Sequence, residues 1–243
     1  MEPYVAAEWS PIEMLQRAWE RALPHLPILI GICFATWVVQ FGINFAIGMV
    51  QGVVVGIATV FADKRGGDGA QALVAGIRLV LQLAATALTL PLSVLVSGAL
   101  ARLGLSVARG EAPDMGVFSV AFSRIGSLLG AFLLMTLAIV VGCCMCFLPG
   151  IVVAIGLQFT MMIVMDTDLG AFGALSYAWK LASDHLLNLF VFGLIASFAV
   201  FVAFCGTCGL GLIVVAPIVL VAQGLVYVHL SGRSQDFMPD PSF

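Results

Sequence analysis

The sequence predicts an all-α integral membrane protein with six transmembrane helices, and three observations carry that prediction. Of 243 residues, 62% are hydrophobic and only 9% are charged, against about 25% charged in soluble domains. The mean hydropathy is +1.14, and the apolar residues gather into runs long enough to cross a hydrocarbon core of about 30 Å. The strict apolar–polar alternation of a membrane barrel is missing, which leaves the helix as the spanning element. A soluble globule of this size must still cover itself with polar groups, and this composition lacks them. The net charge is −3 and no basic run is present, which argues against a nucleic-acid partner. Membrane lipids are the partner this composition implies.

The N-terminal stretch MEPYVAAEWSPIEM is acidic and has no short apolar segment followed by a small-residue cleavage site, so it does not read as a signal peptide. No lipidation motif is evident at either end, and the spans themselves are expected to direct insertion. Residues 11–22 can form a short helix with its charges on one side. An apolar run from His25 to Ala62 follows, then the Gly- and charge-rich loop ADKRGGDGAQ, which marks a turn in water. A second long run, from about Ala72 to Val107, is interrupted by Arg78, and the polar segment RGEAPD (109–114) closes it. Four shorter runs follow at 126–147, 150–165, 186–208 and 210–230. The 147–150 and 206–211 connections are tight and uncharged, whereas 166–185 carries Asp166, Asp168, Lys180 and Asp184.

Six spans place both termini on one side of the membrane. Arg17, Arg21, Arg102, Arg109, Arg124, Lys180 and Arg233 then share the terminal side, while Lys64, Arg65 and Arg78 lie opposite. That asymmetry assigns the termini to the cytoplasm. The chain reads as one membrane domain, 1–243, with a short cytoplasmic tail at 233–243. The run from His25 to Ala62 would be about 57 Å long as one helix, almost twice the hydrocarbon thickness. Either the first hairpin extends beyond the bilayer, or the chain crosses eight times and returns Lys64 and Arg65 to the cytoplasm. The segment NFAIGMVQG (44–52) holds only weak turn signals, and 48–62 is short for a span. The expectation is six spans with an extended first hairpin.

An internal repeat organises these runs. Shifting the sequence by 160 residues sets LQRAWERALPHL (15–26) on LSYAWKLASDHL (175–186), matching Leu15, Ala18, Trp19, Ala22, His25 and Leu26 with Leu175, Ala178, Trp179, Ala182, His185 and Leu186. In each copy the apolar matches form one helical face, and Trp suits the membrane–water boundary. A weaker third copy, FSVAFSRIGSLL (118–129), puts Phe122 where Trp179 stands. Three prolines are each followed seven residues later by glycine: Pro91 and Gly98, Pro149 and Gly156, Pro217 and Gly224. Each pair falls early in a return span, where proline can set a kink or a start and glycine admits a neighbouring helix. The predicted architecture is therefore three units of interfacial helix plus helical hairpin, at about 11–108, 114–166 and 170–232. The aromatic segments are either plain amphipathic linkers at the interface or a collar packed together beneath the bundle.

The run FLPGIVVAIGLQFTMMIVMDTDLGAFGALSYAWKLASDHLLNLF (147–190) resembles a poorly characterised group of bacterial multi-span proteins. These are similar to the membrane domain fused to some glycerophosphodiester phosphodiesterases and to YciC-like inner-membrane proteins. The resemblance rests on LPG before a span, the acidic turn with Asp166 and Asp168, the Ala178–Trp179 helix, and a last span carrying Gly209, Gly211, Pro217 and Tyr227. It covers roughly residues 110–232. It implies a multi-pass protein of the bacterial inner membrane. No phosphodiesterase domain is present, so that activity is not implied.

Three candidate constellations stand out. Gly48, Gly52 and Gly56 form a small-xxx-small stripe that lets helix backbones approach closely, either against Ala84, Ala85 and Ala87 of the second run or at a subunit interface. Gln40, Asn44 and Gln51 share a helical face within about 40°, and Arg78 and Gln82 lie one turn apart. An arginine near mid-bilayer costs about 2.5–3.5 kcal/mol on insertion scales, so this polar stripe either hydrogen-bonds between helices or lines a solute path. Five of the six cysteines sit at two hairpin tips as Cys143, Cys144 and Cys146 and as Cys205 and Cys208. They read as small apolar fillers, as a disulfide among Cys143, Cys146, Cys205 and Cys208, or least of all as a metal site.

No P-loop, nucleophile elbow, zinc-protease signature or paired intramembrane carboxylate is present. His25, His185 and His229 sit at span ends, where an interface position explains them. The sequence therefore points to a non-enzymatic protein without cofactor or bound metal, an oligomeric inner-membrane scaffold or envelope-maintenance component. The alternative is an oligomeric pore, or a carrier of small solutes or lipids, built on the polar stripe of the first two long helices.

Overall fold

The computed structural model describes residues 10–65, 68–114, 116–145, 147–207 and 209–233. Among them the regular structure is helical, with no strand. Helix α1 (Pro11–Ala22) starts on Ser10 with proline in its first turn, where no N–H is needed. Glu13 lies in the first turn and Arg21 in the last, each suiting the helix dipole. A short 3-10 turn, Leu23–His25, holds Pro24 and leads into α2 (Leu26–Arg65). Helix α3 (Asp68–Ala108) carries Pro91 inside it. Then come α4 (Val117–Ser123), α5 (Ile125–Met145), α6 (Phe147–Gly156), α7 (Thr160–Asp166), α8 (Ala171–Ser183), α9 (Leu186–Gly206) and α10 (Leu212–Arg233). Short helices α1 and α8 each precede two long helices, and α4 precedes the long α5 and the two shorter pieces α6 and α7.

Six helical stretches are long and apolar enough to cross a membrane: Pro11–Lys64, Gly69–Ala108, Ile125–Met145, Leu148–Asp166, Leu186–Gly206 and Leu212–Gly232. Helix α2 runs through residues 44–52 without a break, so the eight-crossing reading is not the path taken. Backbone bonding explains the continuity: Gly48 and Gly52 weaken a helix by about 1 kcal/mol each against alanine, too little to end one this long. The C-terminal tail lies, beyond Arg233, outside the described residues.

The chain separates into two compact units. One is Phe34–Val94, and the other joins Met1–Cys33 with Leu95–Phe243. In the first, the more buried positions of α2 (Gln40, Ile43, Ile47, Gln51, Val55, Ala58) and of α3 (Ala70, Val74, Ile77, Leu81, Ala85, Thr89) recur every three or four residues. This is the single seam of a helical pair. Gln51 Nε2 donates to Leu81 O at 3.1 Å. The two residues lie at matching distances from the 65–68 connection, so the helices run antiparallel. Away from the seam the surface is apolar: Trp37, Phe41, Phe45, Met49, Val53, Leu79, Val80 and Leu83 are exposed. Rings of Phe34, Trp37, Phe41 and Phe45 stack in a ladder along α2 with centroids 5.5–6.4 Å apart. Exposed apolar surface on this scale marks contact with lipid or protein.

The second unit has a true core, in which Leu29, Leu103, Leu128, Phe159, Ile163, Met165, Leu189, Phe192 and Tyr227 are fully enclosed. The short helices are seated on spans: α1 on α10 and α9, α8 on α5, α7 and α6, and α4 on α5. Matching positions of the two tryptophan segments have matching environments. Ala18 and Ala22, like Ala178 and Ala182, are buried. Trp19 and Trp179 are both partly exposed, and Phe122 is exposed on α4.

Close approach in this unit falls on glycine. A Cβ at Gly98 would lie 2.8 Å from Leu128 Cδ1 of α5, and one at Gly156 would lie 2.6 Å from the Trp179 ring. At Gly224 it would lie 2.6 Å from Gly104 O, so α10 and α3 meet there backbone to backbone. The fourth span, expected to run unbroken from 150 to 165, is interrupted. Helix α6 ends at Gly156 and α7 begins at Thr160. The Thr160 hydroxyl donates to Leu157 O at 2.6 Å and the Thr160 amide to the same oxygen at 3.0 Å. Those local bonds hold the tight turn that separates the two pieces.

Candidate functional site

Two polar assemblies occupy the second unit, and the first is a charge clamp at the helix ends. Every α-helix leaves its last carbonyls without an intrahelical donor. At the end of α3, Gly110 takes a left-handed φ of +82°. Its N–H reaches Val107 O at 3.0 Å while Glu111 N–H reaches Ser106 O at 2.9 Å, the paired bonds of a Schellman stop. The Arg21 guanidinium of α1 donates to Ala108 O. At the end of α7, Thr167 donates to Ile163 O through both its amide and its hydroxyl. Arg102 donates to Met165 O at 2.8 Å, and Arg124 donates to Val164 O at 3.0 Å and to Thr167 O. Three arginines thus cap two helix C-termini, where the dipole favours positive charge.

Asp166 ties the clamp together. Its Oδ1 pairs with Arg109 at 2.6 Å, and its Oδ2 accepts from the Tyr227 hydroxyl of α10 at 3.0 Å. Arg124 also pairs with Asp168, whose side chain is almost fully exposed. Tyr177 of α8 lies near enough to feel this carboxylate: burial, then the Asp166 charge, push its phenol above the ordinary value. The sequence marked these arginines only as topological charges, Asp166 only as a charge of the 166–185 connection and through a family resemblance, and Tyr227 only through that resemblance. Their pairing had one usable signal, that so few charges occur in so apolar a chain.

The second assembly surrounds the interruption between α6 and α7. Leu157, Phe159 and Thr160 are buried there, as irregular backbone at membrane depth must be. Gln158, between the two pieces, joins Ser197 of α9 and Gln223 of α10 in lining a groove of about 510 Å³, otherwise walled by apolar residues such as Phe192, Phe201 and Phe204. Gln158 Nε2 is buried without a hydrogen-bond partner. None of these three polar residues was singled out in the sequence. The rule that picked Gln40 and Gln51, a polar side chain inside an uncharged span, would have found Gln158 and Gln223 too. A second groove of about 470 Å³ lies between α1 and α9, lined by Trp19, Leu15, Glu20 and Ile195 among others.

The sequence-predicted residues of the Phe34–Val94 unit are placed as follows. A Cβ at Gly48, Gly52 or Gly56 would meet nothing within 4 Å, so these glycines make no close contact with Ala84, Ala85 or Ala87. The polar stripe divides. Asn44 donates to Gln40 O of its own helix at 2.7 Å, Gln51 bridges to α3, and Arg78 and Gln82 are exposed. Gln40 Oε1 is buried without a partner. Cys143, Cys144 and Cys205 carry free thiols on the surface, while Cys146 and Cys208 lie outside the described residues. Among the described residues no group of three or more His, Cys, Asp or Glu could hold a metal ion.

No family model matches the chain, and no curated protein or solved structure matches it either.

Proposed function

We propose that this chain is a non-enzymatic scaffold or envelope-maintenance protein of the bacterial inner membrane, assembled from several copies through the face of α2 that carries Gly48, Gly52 and Gly56. The observation that carries the reading is the open glycine stripe. Three glycines at four-residue intervals have nothing within 4 Å, yet glycine inside a helix costs about 1 kcal/mol against alanine. Close packing of a further helix offsets that cost. The length of α2 adds support. Its 40 residues rise about 60 Å, twice the hydrocarbon thickness, so an extended first hairpin exposes apolar surface that a second copy covers. The arginine distribution supports cytoplasmic termini, the family resemblance supports the bacterial inner membrane, and the order of short and long helices supports the threefold unit.

In mild detergent, native mass spectrometry is expected to report one defined oligomer, and Gly52→Leu to reduce it to monomer. An unchanged oligomer in that variant would remove the glycine face from the assembly.

A second reading, a pore or carrier along Gln40, Asn44, Gln51, Arg78 and Gln82, draws on the orphaned oxygen of Gln40 and on Arg78, a charge exposed on an apolar helix. It requires Arg78→Ala to change solute flux into liposomes at least severalfold. Identical flux would leave the scaffold reading alone.

A further inference from the structure

We infer that the groove beside the interrupted span is a binding site for a neutral, lipid-like amphiphile, a long apolar chain ending in a hydroxyl or amide. Depth is the first argument. Ser197 stands 11 residues after Leu186 and 9 before Gly206 in α9. Gln223 stands 11 after Leu212 and 10 before Arg233 in α10. Gln158 stands 10 after Leu148 and 8 before Asp166 in its span. Each is therefore near the middle of its own crossing, and all three converge on one groove. Uncharged hydrogen-bonding groups at the bilayer centre are costly unless partnered, and Gln158 Nε2 is buried with no partner in the protein.

The interrupted helix is the second argument. Discontinuous spans place non-helical backbone at mid-membrane, and membrane proteins keep it where it meets a ligand or a buried neighbour. Here the turn is held by Thr160 from within, so Gln158 projects from a fixed backbone. The chemistry of the lining selects the ligand class. The groove's about 510 Å³ falls inside the roughly 300–1,000 Å³ of small-molecule sites. Its polar groups are two amides and a hydroxyl, and no charged residue lines it. An anionic or cationic head there would be buried without a counter-charge. Phe192, Phe201 and Phe204 supply the apolar wall that a chain would lie against. A Cβ on Gly193, between Phe192 and Ser197 on the same helix, would meet nothing within 4 Å, so the space is free of protein. This site lies wholly within the second unit and does not depend on assembly.

The test is photo-crosslinking of the full-length protein in nanodiscs, with a diazirine-bearing hexadecanol and the matching diazirine-bearing palmitate, ionised at pH 9, as probes. The alcohol is expected to label peptides covering 192–204 and 212–223 saturably, to be competed by unlabelled hexadecanol, and to exceed the carboxylate at those peptides. Ser197→Trp, which fills the groove, is expected to abolish that labelling. Gln158→Leu, which removes the hydrogen bond without filling space, is expected to weaken it roughly fivefold. Both variants are checked for an unchanged melting point, and if the tryptophan variant does not fold, the leucine variant decides. Labelling spread evenly over the outer face of α5, equal labelling by the carboxylate, or labelling indifferent to Gln158→Leu would overturn the assignment.

Discussion

Gly224→Val is expected to lower the melting temperature of the detergent-solubilised protein by about 6–12 °C, which corresponds to about 3 kcal/mol for a chain of this size. The size of the effect follows from what the new side chain would meet. A Cβ at Gly224 falls 2.6 Å from the carbonyl oxygen of Gly104, 2.9 Å from its carbonyl carbon and 3.0 Å from Ala108 Cβ. The contact is reciprocal, since a Cβ at Gly104 would lie 2.7 Å from Leu220 O. Both partners are backbone, so no rotamer change relieves the clash and α10 must move off α3. That movement would also draw Tyr227, one turn further along α10, away from Asp166. Gly126→Ala provides the control: nothing lies within 4 Å of a Cβ there, and alanine in this first turn of α5 is at least as favourable as glycine, by up to about 1 kcal/mol. Its melting point should equal or exceed that of the native chain. A Gly224→Val protein that melts like the native one would show that the α3–α10 crossing is looser than the backbone contact requires.

Asp166→Ala is expected to destabilise the protein by about 2–3 kcal/mol, or about 4–12 °C in melting temperature. Two partners lose their acceptor at once, and they weigh differently. Tyr227 is 1% exposed, so its hydroxyl would be left buried and unsatisfied, which costs about 1–3 kcal/mol. The Arg109 side chain is 39% exposed and can rehydrate, so the lost ion pair adds less than about 1 kcal/mol. Asp166→Asn keeps an acceptor for Tyr227 and removes the charge, and should cost about 1 kcal/mol. The order Ala, then Asn, then native in thermal unfolding is the signature of a clamp in which the tyrosine bond outweighs the ion pair. Equal melting of all three would mean that the carboxylate carries no load. Equal destabilisation by Ala and Asn would mean that charge pairing to Arg109, lost in both, dominates.

Parts of this architecture could be read without coordinates because they depend on local composition. The six apolar stretches, their helical character and the short helix before the fifth stretch all follow from residues adjacent in sequence. Even the continuity of α2 was weighable, because Gly48 and Gly52 are weak breakers and no proline accompanies them. The interruption at 157–159 was not legible. Gly156 looked like a packing residue, and its contact with the Trp179 ring does place it against a neighbour, but the turn after it depends on the hydroxyl of Thr160 folding back onto Leu157. In a sequence, that threonine looks like any other in an apolar run. The groove was missed for a related reason: Gln158, Ser197 and Gln223 are far apart in the chain, and only their common depth joins them.

What the sequence alone determined is the solvent and the secondary structure: lipid offers the backbone no partner, so a spanning chain closes its own bonds as helix or barrel, and long apolar runs without alternation leave the helix. What only the tertiary structure decided is which groups satisfy one another. Arg102 and Arg124 look like simple topological charges until they are seen capping α7, and Asp166 looks like part of an acidic turn until Arg109 and Tyr227 are found on its two oxygens. Helix formation is governed by bonds four residues apart, which a sequence displays directly. Capping, clamping and groove formation are through-space events between residues far apart in the chain, and their energies depend on distances of a few ångströms that no linear spacing contains.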